Sequence, residues 1–402
     1  MTSRERVLAT LDHRQPDRVP IDFGGTNITG INACAYNSLK SHLNMEDGRT
    51  RVFDTYQQLA VVEESVQRKF SCDAVGLFLE PTEWREWTLP DGTAAEVPKM
   101  WEPVRLEDGS DVVYGLDGNP MVKRLPTSYW FSPTGPLAPG LESVSDIETY
   151  KPIIKLMDRP PHLDQPLEEL TRRAKHSYEN TDCLVTGAYG GHIFAASQIL
   201  RGMDNFMCDL ALDKKFASAL MDAIAEAHME EFGDYIEAVG SYVQVVQISD
   251  DLGSQIGGQI SLEMFRELVR PPMERWYEFM RSKMDAKLFL HSCGSIYQFL
   301  PDLIEMGVDI INPVQVSAKD MDTARLKKEF GSEIVFWGGG CDTQTVLPHG
   351  TPNDVREEVK RRIADLAPGG GFVFTQVHNI QPGVPPENIV AMFEAALEFG
   401  AY

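Results

Sequence analysis

No stretch of about 18 apolar residues occurs in the 402-residue chain, which excludes a helical membrane span. Positive charge is scarce: 37 lysines and arginines face 60 aspartates and glutamates, a net charge of −23. Such a surface repels phosphate backbones and anionic lipid, so neither nucleic acid nor a membrane is an expected partner. Cysteine is sparse as well, six residues without the density of a disulfide scaffold. Free thiols in a reducing, cytoplasmic setting are expected. The segment Met1–Leu8 has no apolar signal-peptide core and reads as a capped amphipathic helix. Gly24-Gly25-Thr26-Asn27 lacks the spacing of a P-loop or a dinucleotide fingerprint, so no nucleotide is inferred. There is no internal repeat or low-complexity tract.

What the chain does contain is eight short apolar, β-branched segments, most followed by a long helical stretch. They are Arg18–Gly25, Cys72–Leu79, Cys183–Gly190, Tyr242–Asp251, Lys287–Gly294, Val308–Gln315, Ile334–Cys341 and Gly371–His378. Near-continuous apolar runs mark strands buried on both faces, as in a parallel sheet covered by helices. Eight strand–helix alternations predict an α/β chain, a (β/α)₈ TIM barrel in which residues 1–402 form one domain. Ser261 and Thr351-Pro352 are expected to start helices, Pro385-Pro386-Glu387 to start the last one, and Pro368-Gly369-Gly370-Gly371 to lead into the eighth strand. The rhythm breaks between Glu83 and Pro133. Turn signals at Pro90-Asp91-Gly92, Asp108-Gly109 and Asp117-Gly118 predict a β-meander inserted after the second strand, a lid or contact surface.

Barrel active sites form where the strands end, so polar residues there are the candidates. In Leu290-His291-Ser292-Cys293-Gly294, His291 and Cys293 are two apart on a strand and project to one side. An imidazole and a thiolate so placed suit tetrahedral zinc; the alternative is a buried thiol beside a hydrogen-bonded core histidine. Cys341, ending the seventh strand, and His378, ending the eighth, compete for third ligand. Cys341 is favoured because a second thiolate raises selectivity for zinc; otherwise it is a small filler, and His378 is a substrate hydrogen-bonder or general acid. Asp250 and Asp251 end the fourth strand, to orient His291 or bind a substrate cation, or simply as loop caps for the following helix. Glu80, after the second strand, is a candidate acid or base. Asn27, Tyr189, Gln198 and Gln255 are the candidate substrate contacts, with His192 beside Tyr189. Cys34, Cys72, Cys183 and Cys208 read as buried thiols.

The stretch His378-Asn379-Ile380-Gln381-Pro382-Gly383-Val384-Pro385-Pro386-Glu387-Asn388 is similar to the C-terminal His-x-Ile-x-Pro-x-x-Pro-Pro-Glu signature of the uroporphyrinogen decarboxylase superfamily. The resemblance runs over nearly the full length and implies a (β/α)₈ barrel. That superfamily also contains cobamide-dependent methyltransferases with a His-x-Cys zinc motif on the fifth strand, which His291 and Cys293 resemble. Departures weigh against the decarboxylases, which hold their substrate's carboxylates with an arginine-rich N-terminal segment. Here Ile21–Asn27 has no arginine, Glu80 stands near the family's acidic guide, Gln198 replaces a tyrosine, and only His378 is kept. Where the methyltransferases place a last zinc cysteine, this chain has His378.

The resemblance therefore implies a zinc-dependent methyltransferase. It would exchange a methyl group between a small ether, alcohol or thiol and a corrinoid (cobamide) cofactor on a partner protein. The alternatives are a metal-free decarboxylase of a uroporphyrinogen-like acid, with His378 and Glu80 as polar guides, and a non-catalytic corrinoid- or metabolite-binding barrel. A homodimer is left open.

Overall fold

The computed structural model describes residues 1–45, 48–115, 118–156 and 162–402. Seven strands form one parallel sheet in chain order: Ala74–Leu77, Leu184–Gly190, Val245–Ser249, Lys287–His291, Ile310–Asn312, Val335–Trp337 and Phe372–Val373. Seven of the eight expected segments are thus strands, each shorter than its apolar run. The eighth, around Arg18–Gly25, forms only an isolated parallel bridge, Ile21 with Phe374. It nevertheless closes the sheet. Phe374 donates its backbone N–H to Pro20, Asp22 donates to Phe374, and Asp73 donates to Ile21. Its shortness has local causes: Pro20 has no N–H to give, and Asp22 turns its carboxylate onto the Gly25 N–H at 2.8 Å.

Alternation along the strands builds two cores. One residue or more from every strand points inward, and these pack with Val7 and Leu11 of the first helix, Ser3–Leu11. That helix covers the N-terminal end of the barrel. Its start is a capping box between Thr2 and Glu5, as the sequence suggests. Neighbouring strand residues such as Leu77, Val185, Ile248, Leu290 and Phe336 face the surrounding helices and join a second, larger core. Both faces are therefore buried, which explains the unbroken apolar runs.

Along the barrel axis the inward side chains turn from apolar to polar. Val245 gives way to Gln247 and Ser249, Phe289 to His291 and Cys293, and Ile310 to Asn312. Polarity is concentrated where the strands end.

Thr351 caps its helix with a capping box onto Asp354, Ser261 accepts the Met264 N–H, and Pro386 opens Pro386–Phe399. The helix expected over Leu262–Met284 is interrupted by a wide π turn at Phe265–Val269 before Arg270–Lys283. The expected single meander at 83–133 is two separate pieces. Trp84–Thr88 and Ala94–Pro98 form a hairpin, and Val104–Arg105, Asp111–Tyr114, Pro120–Arg124 and Ser132–Pro133 form a four-stranded antiparallel sheet. Turns fall at Asp91-Gly92 and Asp108-Gly109; Asp117 lies outside the described residues. The four-stranded sheet meets the barrel mouth through Phe131, which donates to Tyr56 and packs on Trp101. No described helix is long and apolar enough to cross a membrane. The six cysteines are free thiols; against expectation Cys183 is only half-buried, and Cys208 is exposed because it sits on an outer turn of Met203–Leu212.

Opposite the mouth, one carboxylate holds several elements together. Asp73 is fully buried and accepts from Arg6 at 2.7 Å, from Arg18 at 2.7 Å, and from the Ile21 N–H at 2.8 Å. Replacing it by alanine strands two arginines and a backbone donor together. Asp73→Ala is expected to lose about 3–5 kcal/mol of stability in urea unfolding, and a loss under about 1 kcal/mol would show that the cluster is not holding the closure.

Candidate metal centre

The Lys287–His291 strand pairs in register with Val245–Ser249 on one side and Ile310–Asn312 on the other, so His291 lies between Ser249 and Asn312. Beyond His291 the chain leaves the strand through Ser292, Cys293 and Gly294. Gly294 adopts φ +86°, and a Cβ there would fall 2.5 Å from the Gly253 carbonyl carbon. Gly253 is in the same position, since its Cβ would lie 2.5 Å from the Cys293 carbonyl oxygen. Two glycines thus allow backbone to pack on backbone, holding the Gly253–Gly258 turn against the His-x-Cys segment. The Ser292 hydroxyl accepts the Leu252 N–H at 3.0 Å, and Gln315 accepts the Gly294 N–H at 2.7 Å.

Cys293 Sγ lies 3.3 Å from His291 Nε2. His378 approaches from the end of the eighth segment, its ring 5.3 Å from that of His291 at 65°. One donor atom from each of His291, Cys293 and His378 lies within 4.8 Å of the others. Of the two candidate third ligands, His378 is the one brought to the pair. Cys341 is not: it is fully buried, and its Sγ faces Glu358 on the Pro352–Leu366 helix at 3.6 Å. The turn through Gly338, Gly339 and Gly340, the first two at positive φ, carries the chain away from the mouth before Cys341 is reached. Cys341 is a packing residue there.

The trio's chemistry suits a borderline-soft metal. Asn312 donates its amide to the Trp337 carbonyl at 2.7 Å, so its oxygen is the atom facing His291 Nδ1, also at 2.7 Å. That assigns the proton to Nδ1 and leaves the Nε2 lone pair directed at Cys293. Burial depresses the pKa of His291 and takes that of His378 down to about 3, so both rings are neutral and able to ligate. Burial, with the Asp251 carboxylate beside it, pushes the Cys293 thiol up. Without a cation the thiol stays protonated and is a poor nucleophile; a metal would convert it to thiolate. Zn–N and Zn–S bonds of about 2.0 and 2.3 Å at tetrahedral angles put such donors about 3.5 Å apart, close to the 3.3 Å between His291 Nε2 and Cys293 Sγ.

Asp251 lies next to the trio, accepting the Cys293 N–H at 2.8 Å with the same oxygen 3.9 Å from His291 Nε2. Its neighbour Asp250 is taken up by backbone donors. It is buried, and its carboxylate accepts the N–H groups of Ile193, Phe194 and Ala195 at the start of the Phe194–Arg201 helix. Glu80 is likewise taken up, in an ion pair with Arg173, which also holds the Phe78 carbonyl and Gln165. Gln198 donates to Gln259 at 3.1 Å, and Gln259 donates to the Asp251 carbonyl. Gln255 bonds Ser317, Gln344 and Gln315 on the loops above the mouth. Tyr189 donates to the His228 carbonyl at 3.2 Å and packs on Phe232 and Trp276. Asn27 and Tyr189, with His192, line a cavity at the mouth.

Sequence reasoning passed over Asn312. The signal available was register: a polar residue ending the sixth segment, on the inward side, opposite His291. It also passed over Asn379, which donates to the Asn27 carbonyl at 3.0 Å and accepts the Gly30 N–H at 2.7 Å.

A family model described as "Uroporphyrinogen decarboxylase (URO-D)" matches residues 131–399, about two thirds of the chain, and the chain belongs to that family. Curated relatives include the uroporphyrinogen decarboxylase of Saccharophagus degradans, 26% identical over 46% of this chain and 49% of the relative. That of Alkalilimnicola ehrlichii is 45% identical over 44% of this chain and 45% of the relative. The match thus spans just under half the length of these relatives. Among solved structures, a methyltransferase from Methanosarcina mazei superposes with a TM-score of 0.59 at 17% identity, covering 99% of both chains. That likeness is one of fold.

The depressed His378 titration has a consequence for stability. Between about 3 and the ordinary value of 6.5, the unfolded chain takes up a proton that the folded metal-free chain refuses. The stability tied to His378 is therefore complete above 6.5 and declines as pH falls through that window. Thermal unfolding of metal-free protein across this range is expected to show a shallower pH dependence for His378→Gln than for the native chain. Identical slopes would mean that the ring is not held neutral.

Proposed function

We propose that this chain is a zinc-dependent methyltransferase that exchanges a methyl group between a small ether, alcohol or thiol and a corrinoid carried by a partner protein. The observation that carries the reading is the trio His291, Cys293 and His378, with Asn312 fixing the His291 tautomer. Zinc bound there would lower the pKa of a thiol or polarise the oxygen of a methyl ether or alcohol, with the corrinoid as methyl carrier. The chain's own part is positional. Asn312 aims the His291 lone pair, Asp251 fixes the backbone of Cys293, and the two histidines enter uncharged, so only the thiol must lose a proton on metal binding. Three protein donors leave a fourth position for substrate. The whole-chain likeness to a methyltransferase fold supports the reading without deciding the chemistry.

The names of the curated relatives favour a second reading, decarboxylation of a porphyrinogen-like polycarboxylic acid. Against it stand the segment Ile21–Asn27, which has no arginine, and Glu80, already bound by Arg173.

The deciding measurement is metal content by mass spectrometry on protein purified without chelators or a histidine tag. About one zinc per chain is expected, lost in His291→Ala, Cys293→Ala and His378→Ala but kept in Cys341→Ala. Asn312→Leu is expected to weaken zinc binding about 10- to 100-fold. Methyl transfer to cob(I)alamin should fall with zinc across the set. A native protein that stays zinc-free when zinc is supplied would hand the site to the decarboxylase reading.

A further inference from the structure

Beside the metal centre the barrel mouth opens into a cavity of about 430 Å³. Its walls are Asn27 from the closing segment, Phe53, Asp54 and Tyr56 from the hairpin of Val52–Asp54 and Leu59–Ala60, and Phe78 and Tyr189 from the strand ends. Asn379, which follows His378, donates both to the Asn27 carbonyl and to Gln57 of the same hairpin, at 3.0 and 3.3 Å. Asn379 thus links the wall of the cavity to His378 of the donor trio.

The lining has a definite chemistry. Phe53 and Phe78 stack with centroids 4.5 Å apart, and Tyr56 and Tyr189 add two further rings. Among the described lining residues there is no lysine or arginine, and Asp54 is the acid. The Asp54 carboxylate accepts the N–H groups of Tyr56 and Gln57 at 2.9 Å and the Gln57 amide at 3.1 Å. Among the described residues no cation pairs with it. Burial raises its pKa. His162, on the same wall, is held neutral by burial, its pKa lowered to about 4. Past Tyr189 lies a second cavity of about 460 Å³ rimmed by Glu230, Glu231 and Asp234, with Lys155 paired to Glu230. The chain as a whole carries −23. An anion entering the first cavity would meet Asp54 with no lysine or arginine in the described lining, whereas a cation gains from the aromatic faces, from Asp54 and from the field of the protein.

We propose that this cavity holds the non-reacting end of the substrate and that this end is a cationic nitrogen head, an ammonium or quaternary ammonium, set against Asp54 and the surrounding rings. The oxygen or sulfur that exchanges the methyl group then lies towards His291, Cys293 and His378, and the nitrogen keeps all its bonds. The placement of the reacting end rests on the methyltransferase reading; recognition of the head does not.

Three probes of one shape separate the possibilities: choline, its neutral isostere 3,3-dimethylbutan-1-ol, and anionic 3,3-dimethylbutanoate, each titrated calorimetrically into the full chain. Choline is expected to bind about tenfold more tightly than the alcohol and the anion more weakly than either. In Asp54→Asn the preference for choline over the alcohol should shrink to about twofold or less. Asparagine keeps an oxygen for the Tyr56 and Gln57 N–H groups, so the turn survives. Tyr56→Leu, which leaves Asp54 in place, should reduce the preference as well. Stripping metal with a chelator should leave it unchanged. Absence of choline binding, equal affinity for choline and the alcohol, or preference for the anion would overturn the proposal. So would a choline preference lost on chelation, which would put the cation at the metal centre. A choline preference that persists in a protein without zinc or methyl transfer would retain the cation site and remove only the methyltransferase reading.

Discussion

Closure of the sheet by a segment that is barely a strand is the constraint on which the rest depends. A parallel sheet of seven short strands leaves two edges, and buried edge groups without partners are costly. Residues Pro20–Asp22 supply those partners, bonding to Phe374 on one side and Asp73 on the other. The same few residues are anchored from below, where Asp73 gathers Arg6, Arg18 and the Ile21 N–H. The first helix is thereby tied under the barrel, with Val7 and Leu11 filling its lower end.

What the closing segment does next shapes the mouth. After Gly24 and Gly25 it turns over the strand ends, where Asn379 holds the Asn27 carbonyl and the Gly30 N–H. Asn379 is adjacent to His378, so the geometry that closes the barrel also sets one of the three donors. The other two come from the opposite arc, where the Lys287–His291 strand and the Gly253/Gly294 contact fix His291 and Cys293. The donor trio is thus assembled from chain segments about 85 residues apart through shared backbone bonding, with Asn312 setting the ring that both sides meet.

The carboxylates of the mouth divide by what satisfies them. Asp250 accepts three helix N–H groups and Glu80 pairs with Arg173. Asp251 works on the donor loop through the Cys293 N–H. Asp54 is the one buried in an aromatic wall with only turn N–H and amide donors. The barrel accords with membership of the uroporphyrinogen decarboxylase family.

The barrel was legible because period and burial are local properties: apolar runs of strand length, glycine and proline punctuation, and caps such as Thr2 and Thr351 can be read within ten residues. The pairing of His291 with Cys293 was legible for the same reason, since two residues on one strand side need no knowledge of the rest. Which residue joins them was not. Cys341 and His378 both end strands, and thiol chemistry alone favoured the one that the fold places apart from the pair. The decision came from a glycine turn that swings Cys341 outward onto Glu358 and a backbone link that carries His378 inward. Asp250, Asp251, Glu80 and Asn312 were undecidable for the same physical reason. A polar group's role depends on which partner consumes its hydrogen bonds, and those partners are distant in sequence and adjacent only after the sheet closes.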